Sequence, residues 1–188
     1  AFILVGVGMQ VVRGKKIDVL FSASAIAMRN LELAKEIASR DYTDLLVISI
    51  LKGSFVFAAD LIRAMHDAGL APEVEFITVS SYGAGTTSGE VKVLRDIDNQ
   101  VAGRDVLLID DILESGKTLK HTRDLMLSRG AKSVSVAVLL DKTVRRQTEF
   151  DADFVGFECP DYFVVGYGMD VAHAFRELPF VGIVTGDA

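Results

Sequence analysis

Three nearly continuous apolar runs punctuate the chain: LLVISI at 45–50, VLLI at 106–109 just before Asp110, and SVSVAVLL at 133–140. Runs this short and this apolar predict strands buried on both faces, as in a parallel sheet. Between them the period changes to that of a helix. Residues 24–40 place Ala27, Leu31, Ala34 and Ala38 at helical spacing, with Ser24 as the expected N-cap. Residues 54–69 set Phe55, Ala58, Ala59 and Ile62 on one side and end at Gly69, and residues 117–129 turn Leu119, Thr122, Leu125 and Met126 inward before Gly130. EVEFITVSS at 73–81 alternates like a strand, and the short runs FVGF, FVVGYG and VGIV finish the chain. Strand and helix alternating with right-handed crossovers predict an α/β fold, an open, mostly parallel sheet with helices on both faces. Ligands of such sheets bind beyond the carboxyl ends of the strands.

Composition narrows the class without naming a function. The 188 residues suit a single domain spanning 1–188. AFILVGVG at 1–8 lacks a basic start and a cleavage pattern, so it is a poor signal peptide, and an appended or disordered leader ahead of Met9 is the expectation. The net charge of −6 argues against bulk attraction to nucleic acid or an anionic membrane. No apolar run is long enough to span a bilayer. Cys159 is the one cysteine, so no internal disulfide forms and a reducing, cytoplasmic location is expected.

The chemistry concentrates in VLLIDDILESGKTL, residues 106–119. A buried strand here runs into Asp110, Asp111 and Glu114 and then into Ser115-Gly116-Lys117-Thr118 at a helix start. Unpaired N–H groups at a helix N-terminus suit a phosphate, Gly116 permits close approach, and Ser115, Thr118 and Lys117 add donors. Asp110 and Asp111 supply acceptors for vicinal hydroxyls or for a Mg²⁺ that keeps several waters. Glu114 stands where a general base would. A phosphate turn, diol acceptors and a base together describe a site for a phosphorylated ribose. The triphosphate-binding loop fails on spacing, because position 111, five residues before Gly116, is aspartate rather than glycine. GAGTTSG at 83–89 follows no long apolar strand into a helix, so a dinucleotide fingerprint fails as well. SYGAGTTSGE at 81–90 has instead the length and composition of a mobile lid.

The same stretch resembles the phosphoribosyl pyrophosphate motif of the type I phosphoribosyltransferases. LKGSFVF at 51–57, SSYGAGTTSGEV at 80–91, LLDKTVRR at 139–146 and the segment from Asp153 to Val184 narrow the resemblance to the hypoxanthine-guanine branch, over about residues 16–184. It implies that fold, with a small hood built from the chain ends. It assigns the ribose hydroxyls to Asp110 and Asp111 and the 5′-phosphate to Ser115, Gly116, Lys117 and Thr118. Pyrophosphate falls to Leu51, Lys52 and Gly53, with a non-proline cis peptide between Leu51 and Lys52, and to Arg176. Ser81 and Tyr82 close over the sugar, and Glu114 acts on purine N7. Lys142 donates to the 6-oxo group, Phe163 stacks on the ring and the Val164 backbone reads the base edge. Asp170 holds a second Mg²⁺, with Asp110 and Asp111 serving the metal on the ribose side.

The implied reaction is purine salvage: 5-phosphoribosyl passes from phosphoribosyl pyrophosphate to hypoxanthine, and to guanine, giving IMP or GMP and pyrophosphate. The implied partners are these substrates and further copies of the chain in a homodimer or homotetramer. Two other readings use the same fold, a regulator that binds the ligand without chemistry and a transferase for another base. The loop at 80–91 with Lys142 and Phe163 speaks against the regulator, and the segments 139–146 and 153–184 speak against another base. Glu114 departs from the aspartate usual in the family, and its added methylene changes the reach to N7. Position 80 is serine where some members carry lysine.

Overall fold

The computed structural model describes residues 8–81 and 90–188. In chain order the elements are β1 (Gln10–Val12), β2 (Lys15–Phe21), α1 (Ala23–Ala38), β3 (Leu46–Leu51), α2 (Phe55–Asp67), β4 (Glu73–Ser81) and β5 (Val91–Arg95). Then come β6 (Asp105–Leu113), α3 (Lys117–Ser128), β7 (Ser133–Asp141), β8 (Phe154–Glu158), β9 (Val164–Val165) and β10 (Val181–Asp187). Six strands form the main sheet in the order β5-β4-β3-β6-β7-β8. All its pairings are parallel except β4 with β5.

Alternation along the buried strands divides the core. Val47, Leu107, Ile109, Ala137 and Leu139 pack with α1 and α2 on one face. Leu46, Ile48, Val106, Leu108, Val136 and Val138 pack with Leu119 and Met126 of α3 on the other. Helices thus cover both faces, as the apolar runs predict. From β3 the chain winds through α2 to β4, and from β6 it winds through α3 to β7 in the opposite direction across the sheet. The neighbouring carboxyl ends of β3 and β6 therefore form the topological switch point, where an open α/β sheet leaves a crevice. The chain ends build a separate antiparallel hood, β1-β2-β10-β9, over its own cluster of Ile17, Val165, Phe175, Leu178 and Phe180.

Several local expectations need correction. The N-cap of α1 is Ser22, whose hydroxyl accepts from Ala25 N at 3.2 Å, rather than Ser24. The buried face of α1 is Ile26, Asn30, Leu33, Ala34 and Ile37, leaving Ala27 and Leu31 exposed. That of α2 is Phe57, Ala58, Leu61, Ala64 and Met65, leaving Phe55 and Ala59 exposed. In both helices the buried face carries more large side chains in total, Ile26, Leu33 and Ile37 on α1 and Phe57, Leu61 and Met65 on α2, than the expected face, so this rotation removes more apolar area from water. Leu125 of α3 is only partly buried. The strand expected over 163–168 shrinks to β9, and positive φ at Gly166, Tyr167 and Gly168 ends it. The strands β1, β2 and β5 have no counterpart in the sequence reading. Among the described residues no helix is long and apolar enough to cross a membrane.

Candidate active site

The switch point holds the acidic motif. Asp110, Asp111 and Glu114 line a cleft of about 310 Å³ together with Ser115, Gly116 and Thr118. Asp110 accepts from Asp111 N at 2.8 Å, and Asp111 accepts from Ile112 N at 2.7 Å. Burial pushes the Asp110 carboxyl well above the usual carboxylate range, and the Asp111 charge beside it adds to the effect. Such a pair gains from a ligand that brings donors or positive charge. The turn after it is shaped by Gly116, the N-cap of α3, at φ 86°. A Cβ there would meet the Phe150 Cβ at 3.2 Å and the Arg146 Cδ at 3.3 Å, so both the φ and the space favour glycine. No side-chain cap closes this helix, and its first turn carries no acidic residue. Lys117 N donates to Ser115 Oγ at 3.3 Å, and the partial positive charge of the helix start suits an anion.

The loop after β3 lies against these carboxylates. The Leu51–Lys52 peptide is cis, as the resemblance implies. A Cβ on Gly53 would stand 2.1 Å from Asp111 Oδ2, so only glycine lets the loop approach so closely. From the hood side Gly168 closes on the same loop, since a Cβ there would come within 2.8 Å of Gly53 O. Nearby, Arg176 donates to Gly168 O at 2.6 Å and pairs with Asp170 at 3.3 Å. Asp170 also accepts from His173 N at 2.9 Å.

The end of β7 completes the cleft. Lys142 is only 4 % exposed, and its Nζ lies 3.1 Å from Glu114 Oε1. A nearly buried ammonium facing the cleft is not an idle surface charge. Phe163 is 67 % exposed, so its ring does not belong to the core, and the adjoining Val164 is buried in β9. The fold therefore brings Asp110, Asp111, Glu114, Ser115, Gly116 and Thr118 to one cleft, sets Gly53 against Asp111 and Gly168 against Gly53, and places Lys142 on Glu114. Of Ser81 only the backbone, at the end of β4, is described, and Tyr82 with the rest of 82–89 lies outside the described residues.

Sequence reasoning missed Arg146. Its Nε donates to Glu114 O at 3.0 Å, and its guanidinium bonds Phe150 O and the Asp141 carboxylate. Gln147 N and Thr148 N both donate to Ser115 O, at 2.9 and 3.0 Å. Segment 146–150 thus braces the phosphate turn from behind. The only signal in the chain is the pair Arg145-Arg146 after a strand, which looks like a solvated charge run. Arg145 behaves as one, pairing with Asp161 at 2.8 Å.

Two carboxylates suit hard oxygen-seeking cations, and no group of three or more metal-ligating side chains occurs among the described residues. That donor set fits a Mg²⁺ that arrives with a phosphorylated substrate and keeps its waters, rather than one in a protein cage.

Comparison with known proteins agrees with the geometry. Residues 17–172 match the phosphoribosyl transferase domain. The hypoxanthine-guanine phosphoribosyltransferase of Aquifex aeolicus is 45 % identical over 94 % of this chain and 99 % of its own. That of Bacillus subtilis is 47 % identical over 88 % and 92 %. A solved hypoxanthine phosphoribosyltransferase of Trypanosoma cruzi superposes with a TM-score of 0.86 at 37 % identity, covering 93 % of this chain and 94 % of that one. The family match takes in most of the chain, including the carboxylate pair, the phosphate turn and Lys142, and the relatives are covered over nearly their whole length, so this chain belongs to the phosphoribosyl transferase domain family, in its hypoxanthine-guanine phosphoribosyltransferase branch.

Proposed function

We propose that the protein transfers 5-phosphoribosyl from phosphoribosyl pyrophosphate to hypoxanthine, and to guanine, releasing pyrophosphate in a purine-salvage step. The observation that carries this reading is the Lys142–Glu114 pair, a buried donor 3.1 Å from an acceptor at the mouth of a phosphate cleft. Hypoxanthine offers the complementary edge, a 6-oxo acceptor beside an N7–H donor. Adenine would turn its 6-amino donor on the ammonium and leave both unpaired.

Asp110 and Asp111 accept from the ribose hydroxyls, and the α3 N-terminus with Ser115 to Thr118 holds the 5′-phosphate. The loop at Leu51–Gly53 and Arg176 take the pyrophosphate, Phe163 stacks on the purine, and Val164 contacts its edge through the backbone. The N9 lone pair attacks the anomeric carbon, the bond to pyrophosphate oxygen breaks, and the N7 proton passes to Glu114. Asp110, Asp111 and Asp170 would hold Mg²⁺ arriving with the substrate, which would supply positive charge to offset that of the pyrophosphate. Closure of the 80–90 segment, with Ser81 and Tyr82 over the sugar, keeps water from the activated carbon. A homodimer or homotetramer and a cytoplasmic location belong to the same proposal.

The test is Lys142→Gln, which keeps a donor but removes the charge. It should lower kcat/KM for hypoxanthine about 10- to 100-fold, the worth of a charge-assisted hydrogen bond, while the KM for phosphoribosyl pyrophosphate stays within about two-fold. Unchanged hypoxanthine kinetics would remove Lys142 from the base site and leave the purine specificity without a basis.

A further inference from the structure

The hood segment that brings Asp170 and Arg176 to the site turns on Gly166-Tyr167-Gly168, at φ 93°, 50° and 95°. Its backbone is folded back on itself, with Tyr167 N donating to Leu178 O at 2.8 Å and Gly168 N to Arg176 O at 2.9 Å. That conformation buries the Tyr167 side chain to 5 % exposure. Its hydroxyl donates to the Asp60 carboxylate of α2 and accepts from Asn30 Nδ2 of α1 at 3.0 Å. Asn30 is itself buried. A buried hydroxyl and a buried amide N–H cost free energy unless each keeps its partner, so Tyr167 and Asn30 fix one another, and the half-exposed Asp60 takes the hydroxyl proton.

The other side of the same turn faces the cleft. Gly168 abuts Gly53, Gly53 abuts Asp111, and Arg176 is held on Gly168 O and on Asp170. Asp60 lies on α2, the helix that starts directly after the Leu51–Gly53 loop. One hydroxyl therefore ties the segment bearing Arg176 and Asp170 to the element that carries the loop opposite them. We infer that Tyr167 is a positioning residue for the pyrophosphate half of the site, its hydroxyl fixing Arg176 and Asp170 relative to Leu51–Gly53. The inference rests on the proposed assignment of those residues to pyrophosphate.

Tyr167→Phe deletes one oxygen and keeps the ring. The expected result is a rise of about ten-fold in the KM for phosphoribosyl pyrophosphate and a matching weakening of pyrophosphate product inhibition, with the KM for hypoxanthine within about two-fold. Tyr42→Phe serves as a matched deletion at the far end of the sheet, where the Tyr42 hydroxyl bonds Ser135 at 2.6 Å. It should lower the Tm and leave both KM values alone. If Tyr167→Phe does not fold, Asp60→Asn carries the same test, with a smaller rise in the same KM. An unchanged KM for phosphoribosyl pyrophosphate, or equal rises for both substrates, would overturn the role of Tyr167. Arg176→Gln run alongside separates the two levels. No effect of that change on phosphoribosyl pyrophosphate would overturn the pyrophosphate assignment, and the inference with it. A loss in Arg176→Gln but not in Tyr167→Phe would overturn the inference alone.

Discussion

Single residues in this protein carry charge into places where charge is costly, and each is held by named partners. Lys142 is one case and Asp105 is another. Asp105 is buried at the start of β6, accepting from Ser133 Oγ and from Thr43 N, both at 2.6 Å. Burial pushes its carboxyl up, but those bonds outweigh burial and hold it below the usual range. A carboxyl depressed in the folded state contributes stability above its unfolded pKa, about 3.9, and loses it as pH falls through the lower folded value. Asp105→Asn should therefore cost about 1–3 kcal/mol near neutral pH, with the difference from the unsubstituted protein shrinking below about pH 4. Urea unfolding across that range checks it, and a gap that stays constant down to acid pH would contradict the assignment.

At the level of elements, helix rotation makes a sharper test than helix existence. Leu33 is fully buried on α1 and Leu31, two residues away, is 48 % exposed. Leu33→Ala should cost about 2–5 kcal/mol by leaving a cavity, and Leu31→Ala about 0.5 kcal/mol or less, both read by chemical denaturation. The reverse order would mean that the helix is turned as the alanine spacing suggests. The sequence located α1, α2 and α3 because each has helical spacing with a serine or glycine near its ends. It misplaced two faces because both helices carry apolar residues on more than one side, and only packing shows that Leu33 with Ile37, and Leu61 with Met65, win over Leu31 and Phe55. Doubly buried β3, β6 and β7 were legible as apolar runs, whereas β2 (KKIDVLF) exposes its two lysines and Asp18 and pairs only across the hood, a non-local contact that no local pattern announces. Site residues that abut their motif, Asp110 to Thr118, could be read directly. Arg146 and Tyr167 act through partners more than 25 residues away, such as Glu114, Asn30 and Asp60, so their roles appeared only once the chain was folded.

For the molecule as a whole, the decisive feature is the reversal of strand order between β3 and β6. It sets Gly53 beside Asp111, while Lys142, just past β7, reaches Glu114 and the hood turn at Gly168, with Asp170 and Arg176, closes on Gly53. The net charge of −6 does not conflict with an anionic substrate, because the helix terminus and a few cations act locally. Selectivity for a 6-oxopurine is what Lys142 should confer, and a base panel measures it. Purified protein with Mg²⁺ and phosphoribosyl pyrophosphate is given hypoxanthine, guanine, xanthine or adenine, and nucleotide formation is followed. IMP and GMP should form without AMP. Formation of AMP at a comparable rate would contradict the role of Lys142, and no nucleotide from any base despite phosphoribosyl pyrophosphate binding would contradict catalysis itself.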